Sequence, residues 1–140
     1  MITAVYDINI IISGIFWRGA PAEALDEVIA GRVTLLSSDV IVAKLYEVLS
    51  RPKFTDRLQK LGKTADELLI DYSNLVLIVQ PAFVPENVVK DDEDMTVLAC
   101  AVGGTADYIV SGDRHLLTLG HYGNIEIITA NEFLSKLQVE

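Results

Sequence analysis

The sequence has few of the residues that characterise disulfide-rich, disordered or membrane-spanning proteins. A single cysteine, Cys100, excludes an internal disulfide and suits the reducing cytoplasm. Four prolines and nine glycines among 140 residues are too few for a disordered chain. No apolar run reaches the roughly 20 residues of a membrane span, and no basic segment precedes Ile8–Trp17, so we expect neither a membrane helix nor a signal peptide. We therefore expect one cytoplasmic domain covering residues 1–140.

Basic residues are also scarce: the chain has eleven Lys and Arg but twenty Asp and Glu, which gives a formal net charge of −9. Polyphosphate binding depends on Lys and Arg, so this balance argues against a protein that coats nucleic acid generally. Five of the eleven basic residues nevertheless form what we call the basic strip: Arg51, Lys53, Arg57, Lys60 and Lys63. The basic strip is either a solvated helix face or a surface that steers a phosphate backbone towards a nearby acidic pocket.

Short apolar strands alternate with amphipathic helices along the chain. The predicted strands cover residues 3–6, 33–36, 75–79, 108–110 and 125–128. The predicted helices begin near residues 8, 22, 39, 64, 94 and 131, and Thr64 with Glu67 forms a capping-box pattern. This alternation predicts an α/β fold in which a twisted, mostly parallel five-stranded sheet carries helices on both faces.

Three aspartates stand where strands and a helix are predicted to meet. Asp7 follows the first strand, Asp113 follows the fourth, and Asp94 opens a helix. Ligands of open α/β sheets bind beyond the carboxyl ends of the strands. Three carboxylates converging there repel one another unless a cation lies between them, and oxygen ligands suit Mg²⁺ or Mn²⁺. Taken singly, each aspartate is also an ordinary turn or helix-capping residue.

Five segments resemble, in chain order, the motifs of the PIN domain family and of its toxin-like branch. They are Val5–Asn9, Phe16–Gly19, Val48–Phe54, Asp91–Leu98 and Ala106–Arg114. The first is similar to the family's opening Asp-Thr-Asn, and the last is close to its Ala-Asp-Tyr-hydrophobic-Val-Thr-Gly-Asp-Arg block. The second and third look like the Trp-Arg-Gly and Leu-x-Arg-Pro-Lys-Phe segments of the toxin-like branch. The matches extend from Asp7 to Phe133, which is nearly the whole chain.

This resemblance implies a three-layer PIN-like fold and a metal-dependent endoribonuclease that uses Mg²⁺ or Mn²⁺. The residues that match the family's catalytic, metal-binding acids are Asp7, Asp94 and Asp113. Those that match supporting residues around the acids are Asn9, Ser111 and Asp91. Flanking RNA phosphates would be held by Arg51, Lys53 and Arg57. The resemblance further implies the toxin of a prokaryotic toxin–antitoxin pair, with a small antitoxin protein as partner and a homodimer or higher oligomer.

Lys44 is the main departure from the family pattern. The family has a catalytic Glu on this helix, within Glu-Leu-x-Glu-Val-Leu, where this chain reads Lys44–Leu49. An ammonium there would compete with a cation for the carboxylates; Glu47 is a candidate substitute acid, although such a position is more often solvent-facing. Ile8 removes a hydroxyl where the family has Thr, and His115 stands where another Asp is common. The alternative function is therefore a catalytically weakened PIN-fold protein that binds RNA or a protein.

Two other α/β families with acidic pockets fit the sequence less well. A haloacid-dehalogenase-like phosphatase needs a second Asp two residues after Asp7, where this chain has Asn9. A response-regulator receiver needs paired acids at the first strand, an Asp after the third and a Lys after the fifth. None of these receiver features is evident, so both families rank below the metal-dependent nuclease.

Overall fold

The computed structural model describes residues 1–139, in which six strands, eight α-helices and a short 3-10 turn at Pro52–Phe54 are found. The strands are β1 (Ile2–Tyr6), β2 (Val33–Ser37), β3 (Val76–Ile78), β4 (Tyr108–Val110), β5 (His121–Tyr122) and β6 (Ile125–Ile128). The helices are α1 (Ile8–Phe16), α2 (Ala20–Ile29), α3 (Asp39–Leu49), α4 (Thr55–Leu61), α5 (Ala65–Leu75), α6 (Asp92–Gly103), α7 (Arg114–Leu119) and α8 (Ala130–Val139). Within residues 1–139, no helix combines the length and apolar character needed to cross a membrane.

The strands form a single six-stranded sheet in the order β3-β2-β1-β4-β6-β5. Every neighbouring pair is parallel except β5 and β6, which are antiparallel. The prediction of a mostly parallel sheet is confirmed, but the predicted count of five strands is wrong. The additional strand, β5, has two residues and pairs with β6 as a short hairpin, so it is too short to show an alternating pattern of its own.

The central strand β1 marks the point where the strand order reverses. From β1 the chain moves outward to β2 and β3 on one side, and it later returns to place β4 on the other side. In this register Val5 pairs with Leu36 of β2 and with Ile109 of β4. Open parallel sheets bind ligands in the crevice at such a reversal, beyond the carboxyl ends of the strands. The residues that immediately follow β1 and β4 therefore lie at the favoured position for a site.

Helices cover both faces of the sheet and complete a three-layer α/β fold. On one side α1 packs against α2 and α2 packs against α8, whereas α3 packs against α5 and α6. Helix α6 also contacts β1, β2 and β4, which places its first turn near the crevice. The buried core is almost entirely aliphatic, with the fully buried aromatic rings of Tyr6 and Phe133 in edge-to-face contact at 5.8 Å between ring centroids.

Side-chain caps fix where several of these helices begin. The Ser38 hydroxyl accepts a hydrogen bond from the Ile41 amide at the start of α3. Thr64 and Glu67 form the predicted capping box at the start of α5, with reciprocal hydrogen bonds of 3.0 and 3.1 Å. Helix α6 begins two residues before the predicted start at Asp94, because the Asp91 carboxylate caps it instead. Each cap satisfies amides that the first helical turn leaves without a backbone partner.

Candidate active site

Asp7 and Asp113 lie at the carboxyl ends of neighbouring strands and are joined through one serine. The Ser111 hydroxyl donates a hydrogen bond of 2.7 Å to Asp7 Oδ2 and accepts one of 2.9 Å from the Asp113 amide. The Asp7 amide donates to the Val110 carbonyl, so the β1–β4 pairing continues up to the acid itself. Asp113 also caps α7, because its Oδ1 accepts from the amides of His115 and Leu116. Two carboxylates are thus held at the crevice by backbone and hydroxyl contacts.

Asp94 enters the same crevice from the first turn of α6 and is only 4% exposed. Its Oδ2 is buried and has no hydrogen-bond partner among the described residues. The preceding Asp91 is exposed and holds the α6 N-terminus by accepting from the amides of Glu93 and Asp94. A buried carboxylate oxygen without a donor carries a large desolvation penalty, which a positive partner would relieve.

The electrostatics of the crevice show that its acids act on one another. Burial, reinforced by the charges of Asp113, Asp91 and Asp7, raises the pKa of Asp94 to about 6. Burial also raises the pKa of Asp7, with the Ser111 hydrogen bond opposing the shift and Asp113 and Glu93 adding to it. Both shifts have the sign expected for carboxylates that share a poorly solvated space. The crevice consequently favours either a bound proton or a bound cation.

A depression of about 210 Å³ opens beside Asp7, between the start of α1, α3 and the first turns of α6. Its walls are mainly aliphatic, and its charged or polar lining residues come from α6, α3 and the end of β1. The lining residues are Asp7, Ile8, Val40, Ile41, Lys44, Asp92, Glu93, Thr96 and Val97. Lys44 therefore lies on the same depression as Asp7, and its Nζ is 3.2 Å from Glu93 Oε1 and 3.4 Å from Glu47 Oε2.

Glu47, the candidate substitute acid, is exposed and engaged in ion pairs. Its carboxylate accepts from the Arg51 guanidinium at 2.9 to 3.3 Å as well as from Lys44. Arg51, followed by Lys44, lowers the pKa of Glu47. In this structure Glu47 is not among the residues that line the depression. Its contacts make it the counter-ion of Arg51 and Lys44.

The carboxylates suit a hydrated divalent cation better than a fully protein-ligated one. Within residues 1–139, no group of three or more His, Cys, Asp or Glu side chains is arranged to hold a metal ion. The predicted three-acid set is therefore not preassembled, although the acids interact electrostatically. Mg²⁺ commonly keeps several waters and binds one or two carboxylates. The unpartnered Asp94 Oδ2 and the hard oxygen donors of Asp7 and Asp113 fit an ion bound in that way.

The basic strip is spread over a short 3-10 turn, α4 and the start of the next connection, and part of it is already paired. Arg51 pairs with Glu47, and Lys63 pairs with Asp71. The Arg57 guanidinium lies 4.1 Å from the Trp17 ring centroid, and the Lys53 ammonium lies 5.2 Å from that of Phe54. For Lys53, Arg57 and Lys60, residues 1–139 supply no ion-pairing acid.

Two further residues named by the sequence motifs lie at the margin of the site. Asn9 is exposed on the first turn of α1, and no hydrogen bond joins it to Asp7 within residues 1–139. His115 is exposed, donates its amide to Asp113 and lowers the pKa of Asp94. The sequence did not reveal the aliphatic walls formed by Val40, Ile41 and Val97. Their only signal was apolar spacing, which predicts core positions equally well.

Removing the hydroxyl between the two strand-end acids should raise the pKa of Asp7 further. In Ser111→Ala the Asp7 carboxylate loses its 2.7 Å donor, which stabilises the ionised form. Because the folded chain then binds that proton more tightly, its free energy of unfolding should fall more steeply as pH rises through the Asp7 titration. Carboxyl-carbon NMR of the metal-free protein measures the shift. Ser37→Ala, whose hydroxyl accepts from Tyr72 instead, is the matched control, and an unchanged Asp7 titration in Ser111→Ala would contradict the assignment.

Comparison with known proteins supports the same assignment of fold. No curated protein matches the chain. A family model described as PIN domain matches residues 3–115, a range that includes β1, β4 and the three crevice aspartates. The match covers well over half of the sequence, and the parallel sheet with acids at the carboxyl ends of β1 and β4 agrees with it. The chain belongs to the PIN domain family.

Proposed function

We propose that this chain is a metal-dependent endoribonuclease that hydrolyses RNA at the crevice formed by Asp7, Asp94 and Asp113. PIN domains are generally nucleases and typically use divalent metal ions. The observation that carries the proposal is the buried, unpartnered Oδ2 of Asp94 beside two further carboxylates. Such an arrangement is unfavourable without a positive partner, and acids assembled in this way are characteristic of functional sites.

The proposed roles follow from the contacts of each acid. Asp94 offers the oxygen that lacks a partner, and Asp7 is oriented by Ser111 so that its second oxygen remains for binding. Asp113 uses Oδ1 to cap α7, so Oδ2 is the oxygen that we assign to a cation. A bound Mg²⁺ or Mn²⁺ would polarise the phosphate and supply an activated water for hydrolysis. Burial of Asp7 beside aliphatic walls strengthens the electrostatic interactions of its carboxylate with a bound ion.

RNA would reach this crevice along the basic strip, since the rest of the chain is acidic. Lys53 and Arg57 carry positive charge without an ion-pairing acid among residues 1–139, and Arg57 lies over the exposed Trp17 ring. Arg51 follows the last residue of α3 by two positions and shares Glu47 with Lys44. Binding of this kind weakens as salt concentration rises, because cations are released from RNA phosphates.

The biological setting that we propose is the toxin half of a toxin–antitoxin pair. The segments Phe16–Gly19 and Val48–Phe54 support it, because they are similar to segments of the toxin-like branch. The partners in this proposal are a small antitoxin protein and further copies of the chain in a homodimer or higher oligomer. The cytoplasm is the proposed location, and the single, buried Cys100 suits a reducing compartment.

The purified protein should bind Mn²⁺ saturably and cleave RNA only while a divalent ion is present. We expect EDTA to reduce cleavage by more than about 100-fold, because the carboxylates alone cannot stabilise the negative charge of the transition state or activate the attacking water. Calorimetric titration with Mn²⁺ and gel analysis of a mixed single-stranded RNA panel measure the two effects. Absence of Mn²⁺ binding together with absence of cleavage across that panel would contradict the nuclease proposal.

The second candidate function is a PIN-fold binding protein with weakened catalysis. Two observations favour it: Lys44 lies on the depression beside Asp7, and no three-ligand metal set is preassembled within residues 1–139. If Lys44 suppresses cation binding, Lys44→Glu should bind Mn²⁺ while the wild type does not. Saturable binding by the wild type that is lost in Asp94→Asn would instead favour the nuclease.

A further inference from the structure

Lys44 occupies a distinctive position on the depression beside Asp7. Among the described residues that line this depression it is the one basic side chain, whereas Asp7, Asp92 and Glu93 are acidic. The remaining wall is almost entirely aliphatic, so these four side chains supply the charge that faces the depression. A phosphate that entered the depression would meet a single positive group there.

The Lys44 ammonium pairs with the exposed side chains of Glu93 and Glu47, which we call the rim of the depression. Its ion-pair partners within residues 1–139 are Glu93 Oε1 at 3.2 Å and Glu47 Oε2 at 3.4 Å. Asp7, Asp94 and Asp113 form no ion pair with it in the same residues. Lys44 therefore does not pair with the buried Asp94 Oδ2, which has no hydrogen-bond partner among the described residues.

These rim contacts are of the kind that exchange readily. The side chains of Glu47 and Glu93 are 55% and 54% exposed, and that of Lys44 is 35% exposed. Ion pairs at such exposed positions contribute little to stability, because water screens them and holding two long side chains has an entropic cost. Glu93 and then Glu47 raise the pKa of Lys44, so the ammonium remains protonated at neutral pH. It can thus move from a carboxylate to a phosphate oxygen without changing its charge.

Charged side chains on α3 and just after its last residue connect this ammonium to the basic strip. Lys44, Glu47 and Arg51 follow one another at helical spacing on one face, and Glu47 contacts both of its basic neighbours. The row thus leads from the depression to the beginning of the basic strip at Arg51. A single strand of RNA lying along this row would pass from the basic strip to the crevice acids.

We propose that Lys44 binds a backbone phosphate of single-stranded RNA at the mouth of the depression, next to the phosphate that faces the crevice acids. This inference rests on the proposed nuclease function for the choice of ligand. In this role Lys44 exchanges the carboxylates of Glu93 and Glu47 for phosphate oxygens. The three N–H groups of its ammonium can donate to either kind of oxygen. Lys44 is then a substrate-binding residue, and the space around Asp94 Oδ2 stays accessible to a cation.

Equilibrium binding of a fluorescent single-stranded RNA oligonucleotide in EDTA tests this role without requiring cleavage. Lys44→Gln should raise Kd about three- to tenfold near 0.1 M salt, and it should flatten the slope of log K against log salt by about 0.7. Lys44→Arg should retain both the affinity and the slope. The matched control is Lys136→Gln, a lysine of similar exposure that pairs with Glu126 near the opposite edge of the sheet. We expect the control to leave Kd and slope unchanged.

Three outcomes would overturn the inference: no RNA binding by the wild type, an unchanged slope in Lys44→Gln, or tighter RNA binding in that variant. Mn²⁺ titration of the same proteins provides an independent readout. If Lys44 occupied the cation space, Lys44→Gln would bind Mn²⁺ saturably while the wild type bound none, and this too would refute the assignment. If the wild type binds RNA through Lys44 but cleaves none, the nuclease function is refuted. The contact between Lys44 and phosphate is supported in that case. Thermal melts identify any variant that fails to fold.

Discussion

Asp94→Asn is expected to abolish metal-dependent RNA cleavage and, at the same time, to stabilise the metal-free protein. The substitution removes the buried oxygen charge that we assign to the cation, so we expect a loss of cleavage of at least about 100-fold. It also removes a charge that is unfavourable in the absence of metal, since Asp94 is 4% exposed and lies near other acids. Activity and stability should therefore change in opposite directions.

The direction of the stability change follows from the pKa of Asp94, which burial and neighbouring acids raise from 3.8 to about 6. The folded chain binds this proton more tightly than the unfolded chain. The free energy of unfolding consequently falls as pH rises between these two values and stays lower above pH 6. A pKa unit corresponds to about 1.4 kcal/mol, so the loss is at most about 3 kcal/mol. In EDTA at pH 7, Asp94→Asn should melt several degrees above the wild type, whereas at pH 4 the difference should vanish.

Asp26→Asn provides the control, because it removes one carboxylate from an exposed position on α2. We expect it to alter neither Mn²⁺ binding nor the pH dependence of melting. A lower melting temperature for Asp94→Asn in EDTA at pH 7 would show that the ionised carboxylate is stabilised by a contact in the folded protein. That result would contradict the inference that ionised Asp94 destabilises the metal-free protein.

Gly103→Ala should destabilise the fold by about 3 kcal/mol and lower the melting temperature by roughly 10 °C. Gly103 ends α6, and a Cβ at this position would lie 2.0 Å from the Gln80 carbonyl oxygen and 2.9 Å from the Ala82 amide nitrogen. Both atoms belong to the backbone, and Ala82 donates a hydrogen bond to Ala99 of the same helix. Relief of the clash therefore requires the loop or the end of α6 to move.

Gly112→Ala is the matched control for this substitution, since no atom lies within 4 Å of the Cβ that it would introduce. Its melting temperature should remain within a few degrees of the wild type. Circular dichroism melts of the three proteins in EDTA make the comparison. A Gly103→Ala protein as stable as Gly112→Ala would mean that the contact between α6 and the segment around Gln80 is looser than the structure shows.

The sequence predicted those elements whose boundaries have a local chemical cause. Strand β4 has the predicted bounds Tyr108–Val110, and the cap at Thr64 forms as the spacing indicated. Helices are predicted from a stripe of apolar residues that become buried. None of the seven residues of α4 is buried, so the sequence analysis missed this helix. The hairpin between β5 and β6 was missed because two residues cannot display a period.

The sequence predicted which acids belong to the site but not the contacts of the side chains around them. Strand order and the rule for open sheets bring Asp7 and Asp113 to one edge, and the helical pattern places Asp94 at a helix start. The contacts of Lys44 were not predictable, because its partner Glu93 lies on another helix and depends on how α3 packs against α6. Whether a lysine reaches inward or along the rim is decided by tertiary packing, which a single sequence does not specify.

The hydrogen bond between Asp7 and Ser111 joins two residues that are synthesised at different times. The two residues are 104 positions apart, so translation produces the acid well before its hydrogen-bond donor. Until β4 has left the ribosome and paired with β1, a nascent chain has Asp7 but neither Ser111 nor Asp113 beside it. Under the proposed nuclease function, the set of crevice acids therefore stays incomplete until β1 and β4 have paired.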